Sequence, residues 1–187
     1  MLDKVINIAI DAGSILINYY KRPIKIKYKK HDNTTVTKAD LEVDKYIRKR
    51  LEKEFPKDQI LSEQNKKIPK DYSKNVWVVD PLDGTRSFTE QKDGFCVIIG
   101  LCIKGIPNLG VLYAPARGEI YYAQKSKGAY IRKNSVTKKL KVKNTSTISN
   151  SIGMIHPLNQ ENNKLSFFLD NIKIKKRVFD DSAGMRI

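Results

Sequence analysis

Two aspartates three residues apart are the most chemically suggestive feature of this sequence. Asp80-Pro81-Leu82-Asp83-Gly84-Thr85 follows Val76-Trp77-Val78-Val79, an apolar run that reads as a buried strand. A Pro-restricted turn at a strand end lets both carboxylates converge on one small volume. Left alone they repel, and one takes up a proton; a divalent cation relieves the repulsion. All-oxygen ligation selects Mg²⁺, Mn²⁺ or Ca²⁺. Gly84 permits close backbone approach, and the N–H groups of Gly84 and Thr85 open the next turn or helix as a natural phosphate cradle. Metal carboxylates beside such a cradle suggest phosphoryl chemistry. The same residues also read as a plain turn with Asp83 as a helix cap.

Two further stretches bear on that choice. Ser62-Glu63-Gln64 ends the short apolar run Gln59-Ile60-Leu61, so Glu63 reaches the same cluster if the two strands are neighbours. Its plainer reading is an exposed loop glutamate. Thr37-Lys38-Ala39-Asp40 has the form of a helix capping box, which by itself accounts for both Thr37 and Asp40. Both roles are compatible, with Asp40 facing the cluster from the first turn of its helix.

These residues need elements to position them. Leu2, Val5, Ile6, Ala9, Ala12, Leu16 and Tyr19 predict an amphipathic helix over 2–20, ended by Pro23. Ile24, Ile26 and Tyr28 alternate as in a half-buried strand, and His31-Asp32-Asn33 marks a turn. A second helix runs from Thr37 to about Phe55, with Val43, Ile47 and Leu51 on its buried stripe. Residues 65–75 read as a Lys-rich loop. Apolar runs between Phe95 and Tyr122 flank a hairpin at Lys104-Gly105-Ile106-Pro107, and short strands follow near 119–123, 128–132 and 151–155. A helix is expected over 159–170 and a last strand from Lys173 to Phe179. The fold class is therefore α+β, with two helices packed on one face of a large, mainly antiparallel sheet. Residues 1–150 are expected to form the metal-binding domain and 151–187 the beginning of a second, α/β domain.

Composition excludes several classes. The 187 residues are 40% hydrophobic and 30% charged, which argues against a disordered chain. No apolar run approaches the ~18 residues of a membrane span, and Asp3 and Asp11 interrupt any N-terminal signal segment. No membrane partner and a cytoplasmic location are expected. Cys96 and Cys102 match no metal or redox spacing, and His31 and His156 stand far apart, so a metal here is held by oxygen. The formal net charge is +16, built from 28 Lys but only 8 Arg. Arg is the usual reader of bases and phosphates, and the Lys residues are scattered without a nucleic-acid-binding motif. No specific nucleic-acid partner is expected; a small anionic substrate drawn by the positive field is.

Val36-Thr37-Lys38-Ala39-Asp40, Ser62-Glu63 and Trp77-Val78-Val79-Asp80-Pro81-Leu82-Asp83-Gly84-Thr85-Arg86-Ser87-Phe88 occur in the order and spacing of the Mg²⁺-dependent, lithium-sensitive phosphatases. The sequence thus resembles the superfamily of inositol monophosphatases, fructose-1,6-bisphosphatases and 3′(2′),5′-bisphosphate nucleotidases. Gly94-Phe95, Gly110-Val111-Leu112-Tyr113-Ala114-Pro115, Arg86 and Ser182-Ala183-Gly184 with Arg186 look most like the bacterial bisphosphate nucleotidases. The resemblance implies that Glu63, Asp80 and the Leu82 carbonyl hold one Mg²⁺ and that Asp80 and Asp83 share a second, within a family that uses two or three. Asp40 and Thr85 would activate water, Gly84 and Thr85 amides would hold phosphate, and Arg86, Ser182 and Arg186 would touch substrate. The implied substrate is an adenosine 3′(2′),5′-bisphosphate; the alternatives are inositol 1-phosphate or a non-catalytic metal-binding remnant. Relatives also carry a later Trp-Asp motif, in a second domain, whose Asp completes the second metal site. No such motif is present here, so weaker binding at that site and impaired turnover are expected. Dimers are common among relatives, and a homodimer is the default.

Overall fold

The computed structural model describes residues 1–22, 26–28, 35–65, 68–69, 71–155, 176–179, 182 and 184. The expected turn at His31-Asp32-Asn33, the expected helix over 159–170 and Arg186 lie outside them.

Helix α1 (Leu2–Tyr20) buries Val5, Ile8, Ala9, Ala12 and Leu16, one stripe at helical spacing. Gly13 belongs to that stripe because a Cβ there would strike the Tyr113 ring. β1 (Ile26–Tyr28) pairs antiparallel with β2 (Thr35–Thr37), which leads directly into α2 (Lys38–Glu54). The Thr37 side chain accepts from the Asp40 N–H while the Asp40 side chain accepts from the Thr37 N–H, so the capping box is complete. α2 presents Val43, Ile47 and Leu51 inward, as its periodicity requires.

A seven-stranded sheet receives both helices. Its strands are β3 (Gln59–Ser62), β4 (Asn75–Asp83), β5 (Cys96–Ile103), β6 (Ile106–Ala114), β7 (Glu119–Gln124), β8 (Gly128–Lys133) and β9 (Val136–Lys139), ordered in space as in sequence. Only β3 and β4 run parallel; every other neighbouring pair is antiparallel. α2 covers β4, and α1 covers β5 and β6. Trp77, Val79, Val97, Ile99, Leu101 and Val111 fill the core beneath them. Trp77 is fully buried, and its indole N–H donates to Asp58 Oδ2 at 3.0 Å, which satisfies the one polar atom it takes inside.

Two departures from the sequence expectation bear on the sheet. β4 is nine residues long and continues through the Asp-Pro-Leu-Asp segment rather than ending before it. β9 was not anticipated, because all four of its residues are exposed and an edge strand without a buried face shows no alternation. β10 (Ile152–Ile155) pairs in parallel with β11 (Lys176–Phe179) in a two-stranded sheet separate from the large one. Among the described residues, no helix is long and apolar enough to cross a membrane.

Candidate active site

The spacing of Asp80 and Asp83 poses a problem of geometry. In a regular strand, residues three apart point to opposite faces. Here the register against β5 shifts: Asp80 pairs with Ile98 and Asp83 with Cys96. Pro81 and Leu82 therefore stand together opposite Val97, a β-bulge. Proline suits the position, since it has no N–H to contribute to the ladder. The extra residue turns Asp83 back to the face of Asp80. Leu82 N–H then donates to Asp80 Oδ1 at 3.1 Å, and Thr85 Oγ1 donates to the Leu82 carbonyl at 3.1 Å.

Gly84 follows with a left-handed backbone, φ 81° and ψ 37°, as N-cap of the short helix α3 (Thr85–Thr89). A Cβ at Gly84 would collide with the Gly94 carbonyl oxygen, so both φ and space demand glycine. The turn carries the chain from β4 into α3 with the first helical amides beside the carboxylates. Phe88 anchors α3 by packing edge-on against Phe95, their ring centroids 4.9 Å apart.

Parallel pairing of β3 with β4 places Ser62 opposite Val79, and the Glu63 N–H donates to the Val79 carbonyl at 3.1 Å. Glu63 thus sits on the exposed turn directly after β3, with its charge felt at Asp80 and Asp40. The Asp80 carboxyl is pushed up to about 7, first by burial, then by the charges of Glu63 and Asp83, against the opposing bond from Leu82 N–H. Asp40, only 1% exposed, is likewise raised, chiefly by burial and further by Glu63. Thr37 counters this by giving Asp40 Oδ2 two hydrogen bonds, from its N–H at 2.7 Å and its hydroxyl at 2.6 Å. Glu63 and Asp83 both act electrostatically on Asp80, and Glu63 also acts on Asp40.

Asp83 has partners of its own. Its Oδ2 accepts the Ser182 hydroxyl at 2.5 Å and the Gly184 N–H at 2.6 Å, and the Cys96 thiol lies 3.8 Å away. Ser182 is fully buried in this role. Burial pushes the Cys96 thiol well above its ordinary range, so it stays protonated beside the carboxylate. Cys96 as a neighbour of Asp83 was not evident from sequence; its only signal is the bulged register. Arg86 pairs with Glu90 on the exposed side of α3, Nε to Oε1 2.9 Å.

Among the described residues, no three His, Cys, Asp or Glu side chains already stand together as a metal-holding group. The chemistry of the donor set nevertheless fits a hard divalent cation. It consists of oxygens only, and the carboxyl at its centre is pushed up by burial and by two like-charged neighbours. A separate cavity of about 480 Å³, lined by Arg48, Glu52, Gln59, Ile60 and Lys74 among others, includes none of these carboxylates.

Comparison with known proteins agrees with the geometry. Residues 1–183 match the inositol monophosphatase family. A 3′(2′),5′-bisphosphate nucleotidase from Aggregatibacter actinomycetemcomitans is 40% identical over 133 residues, 70% of this chain and 49% of that protein. A histidinol-phosphatase from Chlorobaculum parvum is 33% identical over 135 residues, 72% of this chain and 52% of that one. The solved inositol monophosphatase from Anabaena superposes with a TM-score of 0.78 at 28% identity, covering 98% of this chain and 68% of that one. The chain thus spans about half the length of the curated relatives it matches. From the motif order, the helix-backed sheet and the match over nearly its whole length, the chain belongs to the inositol monophosphatase family.

Proposed function

We propose that this chain belongs to a Mg²⁺-dependent phosphomonoesterase whose substrate is an adenosine 3′(2′),5′-bisphosphate. The observation that carries the reading is the bulge at Pro81-Leu82, which turns Asp80 and Asp83 to one face next to Glu63 and ahead of the α3 amides. Glu63, Asp80 and the Leu82 carbonyl would hold one ion, and Asp80 with Asp83 a second. Bound there, the metal would offset the charge of the ester and lower the pKa of water. The chain's own groups do the rest. Thr85 orients the attacking water, and Asp40, whose raised pKa makes it a better base, accepts the proton through it. The amides of Gly84 and Thr85 hold the phosphate oxygens. Arg86, Ser182 and Arg186 are assigned to the substrate side, Ser182 acting through its bond to Asp83.

The nucleotide is favoured by the 40% identity to a bisphosphate nucleotidase. The inositol phosphate alternative is favoured by the superposition on an inositol monophosphatase. Two free cysteines, Cys96 and Cys102, support a reducing, cytoplasmic setting. A homodimer is the oligomeric state we assign, and sedimentation checks it. The deciding experiment measures phosphate release with Mg²⁺ from adenosine 3′,5′-bisphosphate and from inositol 1-phosphate, with EDTA and Asp80→Asn as controls. Release from the nucleotide alone, abolished by both controls, is expected. Preference for inositol 1-phosphate overturns the substrate, and activity surviving Asp80→Asn overturns the site. No release from either, with Mg²⁺ binding retained, makes the chain a non-catalytic metal-binding domain.

A further inference from the structure

Asp44 lies one helical turn beyond Asp40, on the same stripe of α2 as Val43 and Ile47, and is 3% exposed. An acid among apolar residues at that depth needs partners. It has two. Ser62, itself 3% exposed, donates its hydroxyl to Oδ1, and Arg48 donates its Nε to Oδ2 at 2.8 Å. Ser62 directly precedes Glu63. The start of α2 is already secured by the Thr37–Asp40 box, and β3 by its ladder to β4. A buried ion pair is also a poor source of net stability, since apolar residues of similar size often do as well. The network therefore calls for another role.

Its connections supply one. Glu63 is tied to β4 by its own N–H, which reaches the Val79 carbonyl one residue before Asp80. It is tied to α2 through Ser62 and Asp44. The first tie sets Glu63 against Asp80; the second sets it against Asp40. Arg48 neutralises Asp44, so Asp44 contributes position to the site more than charge. We infer that Asp44 is a positioning residue: through Ser62 it holds Glu63 in register with the helix that carries Asp40, so that the carboxylates close on a divalent cation. This inference rests on the metal-site reading given under the proposed function.

Mn²⁺ alone, followed by loss of the free-ion electron paramagnetic resonance signal on titration into the full chain, tests it without turnover. Partners that orient metal ligands change affinity by about tenfold or more when removed. Ser62→Ala and Asp44→Ala should each weaken Mn²⁺ binding by about tenfold, and the double variant should be no weaker than either single one. Asp44→Asn keeps an oxygen for the Ser62 hydroxyl and should bind within about twofold of wild type. Should Asp44→Ala fail to fold by circular dichroism, Ser62→Ala carries the test, since it leaves the Arg48–Asp44 pair intact. Wild-type affinity in Ser62→Ala, with binding lost in Glu63→Gln, overturns the inference and leaves the metal site standing. Equal weakening in Asp44→Asn and Asp44→Ala overturns it in favour of a charge effect. No Mn²⁺ binding by the wild type removes the site and the inference together.

Discussion

Replacing Asp80 by asparagine should stabilise the metal-free chain at neutral pH, although it removes a residue central to the proposed site. In the folded chain the Asp80 carboxyl titrates at about 7, against an ordinary value of 3.8. Between those values the folded state holds a proton that the unfolded state has released, so stability falls as pH rises from about 4 through about 7. Three units would correspond to a ceiling of roughly 4 kcal/mol, but Asp80 is only partly buried and solvent screens it, so about 2 kcal/mol is expected. Asparagine fills the same space, cannot ionise, and still offers an oxygen to the Leu82 N–H. For a chain of this length, about 2 kcal/mol corresponds to a rise in Tm of roughly 4–8 °C. Thermal unfolding in EDTA, followed by circular dichroism at pH 5, 6, 7 and 8, should show similar Tm values at pH 5 and Asp80→Asn increasingly ahead towards pH 8. Adding Mg²⁺ at pH 8 should raise the wild type more than the variant, because a ligand that binds only the folded state stabilises it in proportion to its affinity. A variant no more stable than wild type at pH 8 in EDTA would refute the reasoning. So would an advantage that does not change with pH, because ionisation of a buried Asp80 beside Glu63 and Asp83 would then not be the source of the cost.

Gly84→Ala forces a Cβ onto a left-handed backbone and into the Gly94 carbonyl, and urea unfolding should show a loss of roughly 2–4 kcal/mol. Thr37→Ala removes the α2 cap together with a hydrogen bond to buried Asp40; a loss of roughly 1–2 kcal/mol is expected, with phosphate release falling alongside it. Trp77→Phe deprives Asp58 Oδ2 of the indole N–H and should cost roughly 1–3 kcal/mol by urea unfolding followed by circular dichroism, while leaving Mn²⁺ binding unchanged.

Features written in local patterns were legible from sequence alone. The stripe of α1, the Thr37–Asp40 box and the alternating and apolar runs of β3 to β8 each depend on residues within a turn or strand of one another. So did the motif residues themselves, whose types announce an oxygen-rich anionic cluster. Features that depend on a distant partner were not legible. That Ser62 answers Asp44 across eighteen positions requires the packing of α2 on the edge of the sheet. That Cys96 and the Ser182 hydroxyl meet at Asp83 requires the bulge and the return of the chain nearly a hundred residues later. β9 escaped for the opposite reason, since an exposed edge of valine, threonine and lysines carries no burial pattern to read.

The bulge itself shows where the two kinds of information meet. A strand read by alternation sends Asp80 and Asp83 to opposite faces, and a turn read from Asp-Pro and Asp-Gly brings them together only by ending the strand. The molecule does neither. β4 continues, and the residue that cannot donate to the ladder sits where the ladder slips, so the pairing to Ile98 before it and to Cys96 after it both survive. The proline therefore does more than punctuate. It lets a strand remain a strand, paired to β5 before and after the slip, while two carboxylates of odd spacing share a face. A loop could have delivered the same side chains. It would have left them free to move apart, and the repulsion that adds to burial in raising Asp80 would have driven them to do so. Holding like charges together needs a scaffold stiffer than their repulsion, and a bulged strand paired to β5 on either side of the slip supplies it.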